Sequence, residues 1–118
     1  ERGSGCIINI ASELGYLGRA RFASYTASKG AILALTRSLA REFAPTVRVN
    51  AIAPGPVETD LLWAEIDTPE QLAAETSLPM ARLGLPGDIA GSAVFLASDY
   101  AAYYCGDVLS PNGGSLMR

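Results

Sequence analysis

The chain has 118 residues, of which 49% are hydrophobic and 18% charged, with a net charge of −3. That balance suits one small globular domain and excludes a disordered chain. The charge argues against nucleic acid as a partner, no apolar run nears the ~20 residues of a membrane span, and two cysteines with no histidine argue against a zinc or redox site.

Glu1-Arg2-Gly3-Ser4-Gly5 carries no signal-peptide pattern. Gly5 to Ser12 is a short apolar run rich in β-branched residues. It predicts a strand buried on both faces, as in parallel sheets. Gly15 to Ala23 reads as a loop broken by Gly15 and Gly18. A helix is predicted from Ser24, its N-cap, to Ala44, with Pro45 as its stop. Ile32, Leu35, Leu39 and Phe43 form an apolar stripe on it. Ala27, Ala31, Ala34 and Ser38 form a second stripe of small residues, suited either to core packing or to a helix-helix subunit contact.

Val47 to Ala53 is the next strand, ended by Pro54-Gly55-Pro56-Val57-Glu58-Thr59. Strand, long helix, strand is a βαβ unit with a parallel crossover. Asp60 to Leu85 has no clean period and reads as a surface connection or as a lid over a site. Within it, Thr68 to Glu75 predicts a short helix with Thr68 as N-cap and Pro69 at its first position. A helix follows from Pro86 to about Ser98, with Ile89, Ala93, Phe95, Leu96 and Ala97 on its buried side. Asp99 to Tyr104 is a turn, Gly106 to Ser110 a third strand, and Asn112-Gly113-Gly114 a turn near the end. Cys6 and Cys105 sit among apolar or aromatic residues and are expected as buried free thiols, in a cytoplasmic protein.

Tyr25 and Lys29, the only lysine, lie four residues apart and therefore on one helix face. A phenol titrates near pKa 10 in isolation, and a neighbouring ammonium favours its ionised form. The pair is either a solvated helix face or a proton-transfer device. Ser12 at the end of the first strand, the start of the Tyr25 helix and the Pro54-Gly55 loop all fall at the carboxyl edge of the sheet. Ligands bind at that edge in open parallel folds.

With Ser12 thirteen residues before Tyr25-Thr26-Ala27-Ser28-Lys29, and with Asn50 through Thr59 matching an Asn-x-x-x-Pro-Gly loop ending in threonine, the chain resembles the short-chain dehydrogenase/reductase family. Pro86-Gly87-Asp88-Ile89-Ala90 and Gly106 to Gly114 are most similar to its 3-oxoacyl-acyl-carrier-protein reductases, although Pro111 stands where those carry an apolar residue. The resemblance implies an α/β fold: the C-terminal half of a Rossmann-like doubly wound parallel sheet, ordered strand-helix-strand-lid-helix-strand. It implies carbonyl/alcohol interconversion with NADPH or NADH, on a small carbonyl or alcohol substrate that could be acyl-carrier-protein-linked, in a homo-oligomer.

By the same resemblance Tyr25 is the general acid/base, Lys29 tunes it and binds the nicotinamide ribose, and Ser12 bonds the substrate oxygen. Pro54, Gly55 and Val57 line the nicotinamide, and Thr59 bonds its carboxamide. The family's T-G-x-x-x-G-x-G turn, its Asn-Asn-Ala-Gly segment and its catalytic asparagine are missing from residues 1–118. The expectation is therefore a C-terminal portion of one Rossmann-fold reductase domain, inactive without its dinucleotide-binding half. Two alternatives stand beside it: a non-catalytic module acting through self-association, and an unrelated α/β binding domain.

Overall fold

The computed structural model describes residues 3–118. Glu1 and Arg2, part of the segment read for a leader pattern, lie outside the described residues. Three parallel strands, β1 (Gly5–Ile10), β2 (Val47–Ile52) and β3 (Val108–Leu109), form a sheet in the order β1-β2-β3. The helices are α1 (Leu14–Leu17), α2 (Ala23–Phe43), α3 (Asp60–Trp63), α4 (Pro69–Thr76) and α5 (Pro86–Ala97). A single 3₁₀ turn at Asp99–Ala101 follows α5.

β2 holds the two layers together. Alternate residues of a strand face opposite sides. Ala51 and Ala53 join Ala11, Leu33 and Val108 in one core cluster, with Tyr16 and Ile32 packed against it. Ile52 joins Leu96 and Ala101 in the other, with Ile8, Ile89, Ala93, Phe95, Tyr104 and Leu109 around it. So α2 covers one face of the sheet and α5 the other, the doubly wound arrangement expected from the sequence.

Several details depart from expectation. β1 is not buried on both faces: in this sheet it is an edge strand, and Ile7 and Ile10 are 39% and 49% exposed. Cys6 and Cys105 are free, as expected, but exposed rather than buried. Cys6 rides on that edge strand, and Cys105 lies in the connection ahead of β3. The N-cap of α2 is Phe22, one residue before the helix begins, and Ser24 is already helical. The stretch read as a loop contains α1, whose Gly15 packs so closely on α2 that a Cβ there would sit 3.0 Å from the backbone of Lys29 and Gly30.

The buried face of α2 is Leu33, Thr36 and Ala40, while Leu35 and Phe43 are exposed. The apolar stripe is therefore displaced by one residue around the helix. Thr36, fully buried, hides a polar group that hydropathy misses. Its hydroxyl donates to the Ile32 carbonyl at 2.8 Å and accepts from the Asn9 amide at 3.0 Å. Ala27, Ala31, Ala34 and Ser38 lie exposed.

Helix ends follow local chemistry. Ala44 takes an extended conformation ahead of Pro45, as the proline ring demands, and α2 stops there. Thr68 and Gln71 form a reciprocal capping box at α4. Asp88, in the first turn of α5, accepts from the Leu85 N–H and from Arg82, both at 2.8 Å. The Arg82 guanidinium, and then the Leu85 N–H, hold that carboxyl below the usual range.

Asn50, 1% exposed, clasps β2 to the segment leading into β3. Its amide nitrogen donates to the Tyr104 carbonyl at 2.9 Å, and its oxygen accepts from the Asp107 N–H at 3.0 Å. Asn50→Leu keeps the volume but strands both backbone groups. It is expected to cost about 2–4 kcal/mol, read as a lower urea midpoint at unchanged slope. A midpoint equal to wild type would show that the clasp is dispensable.

Candidate active site

The carboxyl edge of β1 and β2 gathers most of the residues singled out from the sequence. Ser12, 7% exposed, follows β1, and its Oγ accepts from the Leu14 N–H at 3.2 Å. Tyr25 stands in the first turn of α2, half-buried. Lys29, one turn later, places Nζ 5.7 Å from the centre of the Tyr25 ring and donates to the Ile10 carbonyl at 3.1 Å. The ammonium therefore joins the phenol-bearing helix to the strand end two residues before Ser12.

The Pro54 carbonyl accepts from the Glu13 N–H at 3.1 Å, which ties the loop after β2 to the residue after Ser12. Gly55 is pressed against the exit of β3: a Cβ there would lie 2.7 Å from the Asn112 Cα. Only glycine fits that approach, a structural reason for a residue first noted as a cofactor contact. Ser12, Tyr25, Lys29, Pro54 and Gly55 thus share one edge.

Val57 and Thr59 continue the loop that Pro54 and Gly55 begin. Val57 forms an isolated parallel bridge with Gly84, where the 60–85 excursion returns. Thr59 is the N-cap of α3: its hydroxyl accepts from the Leu62 N–H at 3.4 Å and donates to the Val57 carbonyl at 3.3 Å. A hollow of about 280 Å³ is lined by Pro56, Arg82, Asp88, Asn112 and neighbours, and by none of Ser12, Tyr25 and Lys29. The chemistry is placed by the side chains, not by that hollow.

Sequence reasoning passed over Glu13, Arg19 and Phe22. Arg19 Nη2 pairs with Glu75 Oε1 of α4 at 2.6 Å, a bond from the segment ahead of α2 to the 60–85 excursion. The Arg19 guanidinium lies 4.8 Å from the Phe22 ring centre, and Phe22 meets Tyr25 edge-on at 6.3 Å. Glu13 is 7% exposed, and its Oε2 is shut from solvent without a hydrogen-bond partner. Burial pushes its carboxyl from an ordinary 4.5 up to about 7. The Glu75 carboxylate adds to that shift and Arg19 opposes it. An acidic residue directly after an apolar strand was the available signal, but burial is not legible in a loop.

The native state holds a proton on Glu13 that the unfolded chain releases near 4.5. Its contribution to stability is full below that value and is lost as pH rises through about 7. The loss amounts to about 3 kcal/mol. Glu13→Gln, isosteric and uncharged, is expected to flatten stability between pH 5 and 8 and to raise it at pH 8. Urea melts across that range check this, and parallel curves for the two proteins would refute it.

Comparison with known proteins agrees with this geometry. Residues 1–115 match the family profile described as enoyl-(acyl carrier protein) reductase. The chain is 45% identical to a glucose and ribitol dehydrogenase from Daucus carota over 113 residues, 95% of this chain and 39% of that protein. It is 43% identical to the 3-oxoacyl-[acyl-carrier-protein] reductase FabG of Vibrio harveyi, over 97% of this chain and 47% of that one. An Agrobacterium tumefaciens structure with bound NADP, described as a 2-deoxy-D-gluconate 3-dehydrogenase, superposes with TM-score 0.92 at 44% identity, covering 98% of this chain and 48% of that one. The chain spans less than half the length of these relatives. Among the described residues no helix is long and apolar enough to cross a membrane. The match over residues 1–115, with relatives above 40% identical across nearly all of this chain, places it in the short-chain dehydrogenase/reductase family.

Proposed function

We propose that this chain is the C-terminal, proton-transfer portion of an NAD(P)-dependent oxidoreductase that interconverts a small alcohol and its carbonyl. The observation that carries the reading is Lys29, held between the Tyr25 ring and the Ile10 carbonyl at the edge that also bears Ser12. The nicotinamide cofactor, when bound, supplies or accepts the hydride. Tyr25 gives its phenolic proton to the substrate oxygen in reduction and takes it back in oxidation. Lys29 holds its ammonium beside the Tyr25 ring, on the same helix face. Ser12 Oγ–H is the second donor for the substrate oxygen.

The residues fit the nicotinamide end of such a cofactor. An ammonium has three N–H donors, and one is spent on Ile10, leaving two for ribose hydroxyls. Pro54, Gly55 and Val57 would flank the ring and Thr59 its carboxamide. Nothing in residues 1–118 matches the glycine-rich turn and helix N-terminus that hold a pyrophosphate. We therefore assign that task, and the choice between NADH and NADPH, to a preceding dinucleotide-binding half of the same domain. The reading includes a lid role for residues 60–85, a homo-oligomer using the exposed small-residue face of α2, and a cytoplasmic setting suited to two free thiols. One relative is named for an acyl-carrier-protein-linked substrate and another for glucose and ribitol.

In the complete protein, Tyr25→Phe is expected to lower turnover by about a thousandfold or more, since it removes the positioned acid while the ring still packs. Lys29→Met should reduce turnover and also weaken cofactor binding. Nicotinamide absorbance at fixed substrate measures the first and calorimetry the second. Near wild-type turnover by Tyr25→Phe would end the proposal.

The 118 residues alone should bind NADH or NADPH weakly or not at all, and should associate through the exposed β1 edge. Calorimetric titration with light scattering on the same sample tests both. Micromolar cofactor binding by a monomer of this length would contradict the division of labour.

A further inference from the structure

The outer part of the 60–85 excursion is lightly packed. α3 and α4 contain no buried residue, and Leu61 and Trp63 are exposed. The two ends of the excursion meet at a narrow neck. There the Glu58 N–H donates to the Gly84 carbonyl at 2.8 Å and the Gly84 N–H to the Pro56 carbonyl at 2.9 Å. Out from the neck, in the last turn of α4, Glu75 pairs with Arg19 at 2.6 Å. A carboxylate in that turn faces the negative end of its own helix, so helix stability does not account for its place. Arg19 is set for the contact by a tight turn. Its carbonyl accepts from the Phe22 N–H at 3.1 Å, and Arg21, inside the turn, takes a φ of 68°. A non-glycine residue enters that left-handed region at a cost. The Arg19 guanidinium also lies over the Phe22 ring, and Phe22 meets Tyr25 edge-on. One side chain thus touches both the excursion and the ring that flanks the candidate acid.

We propose that Arg19 is a positioning residue of the reaction: its ion pair with Glu75 is the catch that holds residues 60–85 beside the Tyr25 edge, and the same guanidinium steadies Phe22 and, through it, the Tyr25 ring. The inference rests on the oxidoreductase and lid readings above and deepens them by naming the contact that opens and closes. An exposed ion pair shifts an equilibrium by about fivefold at most. That is weak enough to break and remake at every turnover, as a catch requires. Such a pair is screened by salt, so closure depends on ionic strength. The planar guanidinium serves both contacts, pairing through its N–H edge and stacking through its face. Glu75 carries the catch alone, whereas Arg19 carries the catch and the support of Phe22, and that difference separates the two roles.

The test uses the complete protein. Hydrogen exchange of the α4 amides, read by mass spectrometry in low and high NaCl, reports the closed population. Glu75→Gln and Arg19→Gln should each speed that exchange by about threefold to fivefold at low salt. The reversed pair, Arg19→Glu with Glu75→Arg, should bring it back to within about twofold of wild type. High salt should speed exchange in wild type and leave Glu75→Gln unchanged. Equal exchange in wild type and Glu75→Gln at low salt, or a reversed pair as fast as the single variants, overturns the catch. Turnover of 2-butanone with NADH or NADPH then separates the two roles. Glu75→Gln should raise KM for the ketone by about threefold with kcat nearly unchanged. Arg19→Gln should raise KM equally and also lower kcat by about threefold. The reversed pair should recover KM but not kcat, because a carboxylate does not stack on Phe22 as a guanidinium does. Equal kcat in Arg19→Gln and Glu75→Gln refutes the link to Tyr25. If wild type reduces neither 2-butanone nor any other ketone or aldehyde, the oxidoreductase reading fails instead, and hydrogen exchange still decides the catch.

Discussion

The constraint on which the rest of this structure depends is the burial of β2 on both faces. Ala51 and Ala53 keep one side of the strand thin, and Ile52 fills the other. Small residues on the α2 side let that helix lie close to the sheet. Gly15 does the same where α1 crosses α2, at backbone contact distance. This close approach lets a lysine on α2 reach the last carbonyl of β1. A larger residue at 51 or 53 would lift the helix, and the ammonium would leave both its carbonyl and its phenol. Core packing and candidate chemistry are therefore one geometric problem here, solved by alanines rather than by polar residues.

The edge so formed is not electrostatically uniform. On the Tyr25 side stands the Lys29 ammonium. On the far side of Ser12 a carboxyl is buried and keeps its proton to about pH 7, chiefly through removal from water and then through the Glu75 carboxylate. The Arg19–Glu75 pair links the 60–85 excursion to this edge. An exposed pair of this kind adds little to stability. Its meaning lies in where it sits: it bonds that excursion to the segment leading into α2.

Element order, parallel pairing and the Ser12, Tyr25, Lys29 and Pro54-Gly55 edge were legible in the sequence, because each leaves a local trace. A β-branched run, a four-residue spacing and a Pro-Gly break survive without knowledge of the tertiary fold. Burial did not survive. β1 reads as a central strand by composition, yet it has one strand neighbour among the described residues. The buried face of α2 could not be fixed to one residue, since Thr36, at its centre, is polar and is satisfied by Asn9 from another element. Glu13 escaped for the same reason: a carboxylate in a loop predicts solvent, and only the packed structure shows otherwise.

β1 and Glu13 pose the same physical question at two scales. The outer edge of β1 offers a row of backbone donors and acceptors beside exposed Ile7 and Ile10. Such an edge is stable only when something pairs with it or water reaches it. Glu13 offers one oxygen that neither protein nor solvent reaches. The first is a backbone feature and asks for a strand. The second is a side-chain feature of the residue after Ser12, closed off by the packing around it. A strand partner cannot satisfy Glu13, because the side chain lies past the end of β1, where the ladder has stopped. A small substrate cannot satisfy β1, because a continuous edge needs a continuous partner. The two are thus separate physical problems: the strand edge is met only along a ladder, and the Glu13 oxygen only within the packing around one side chain.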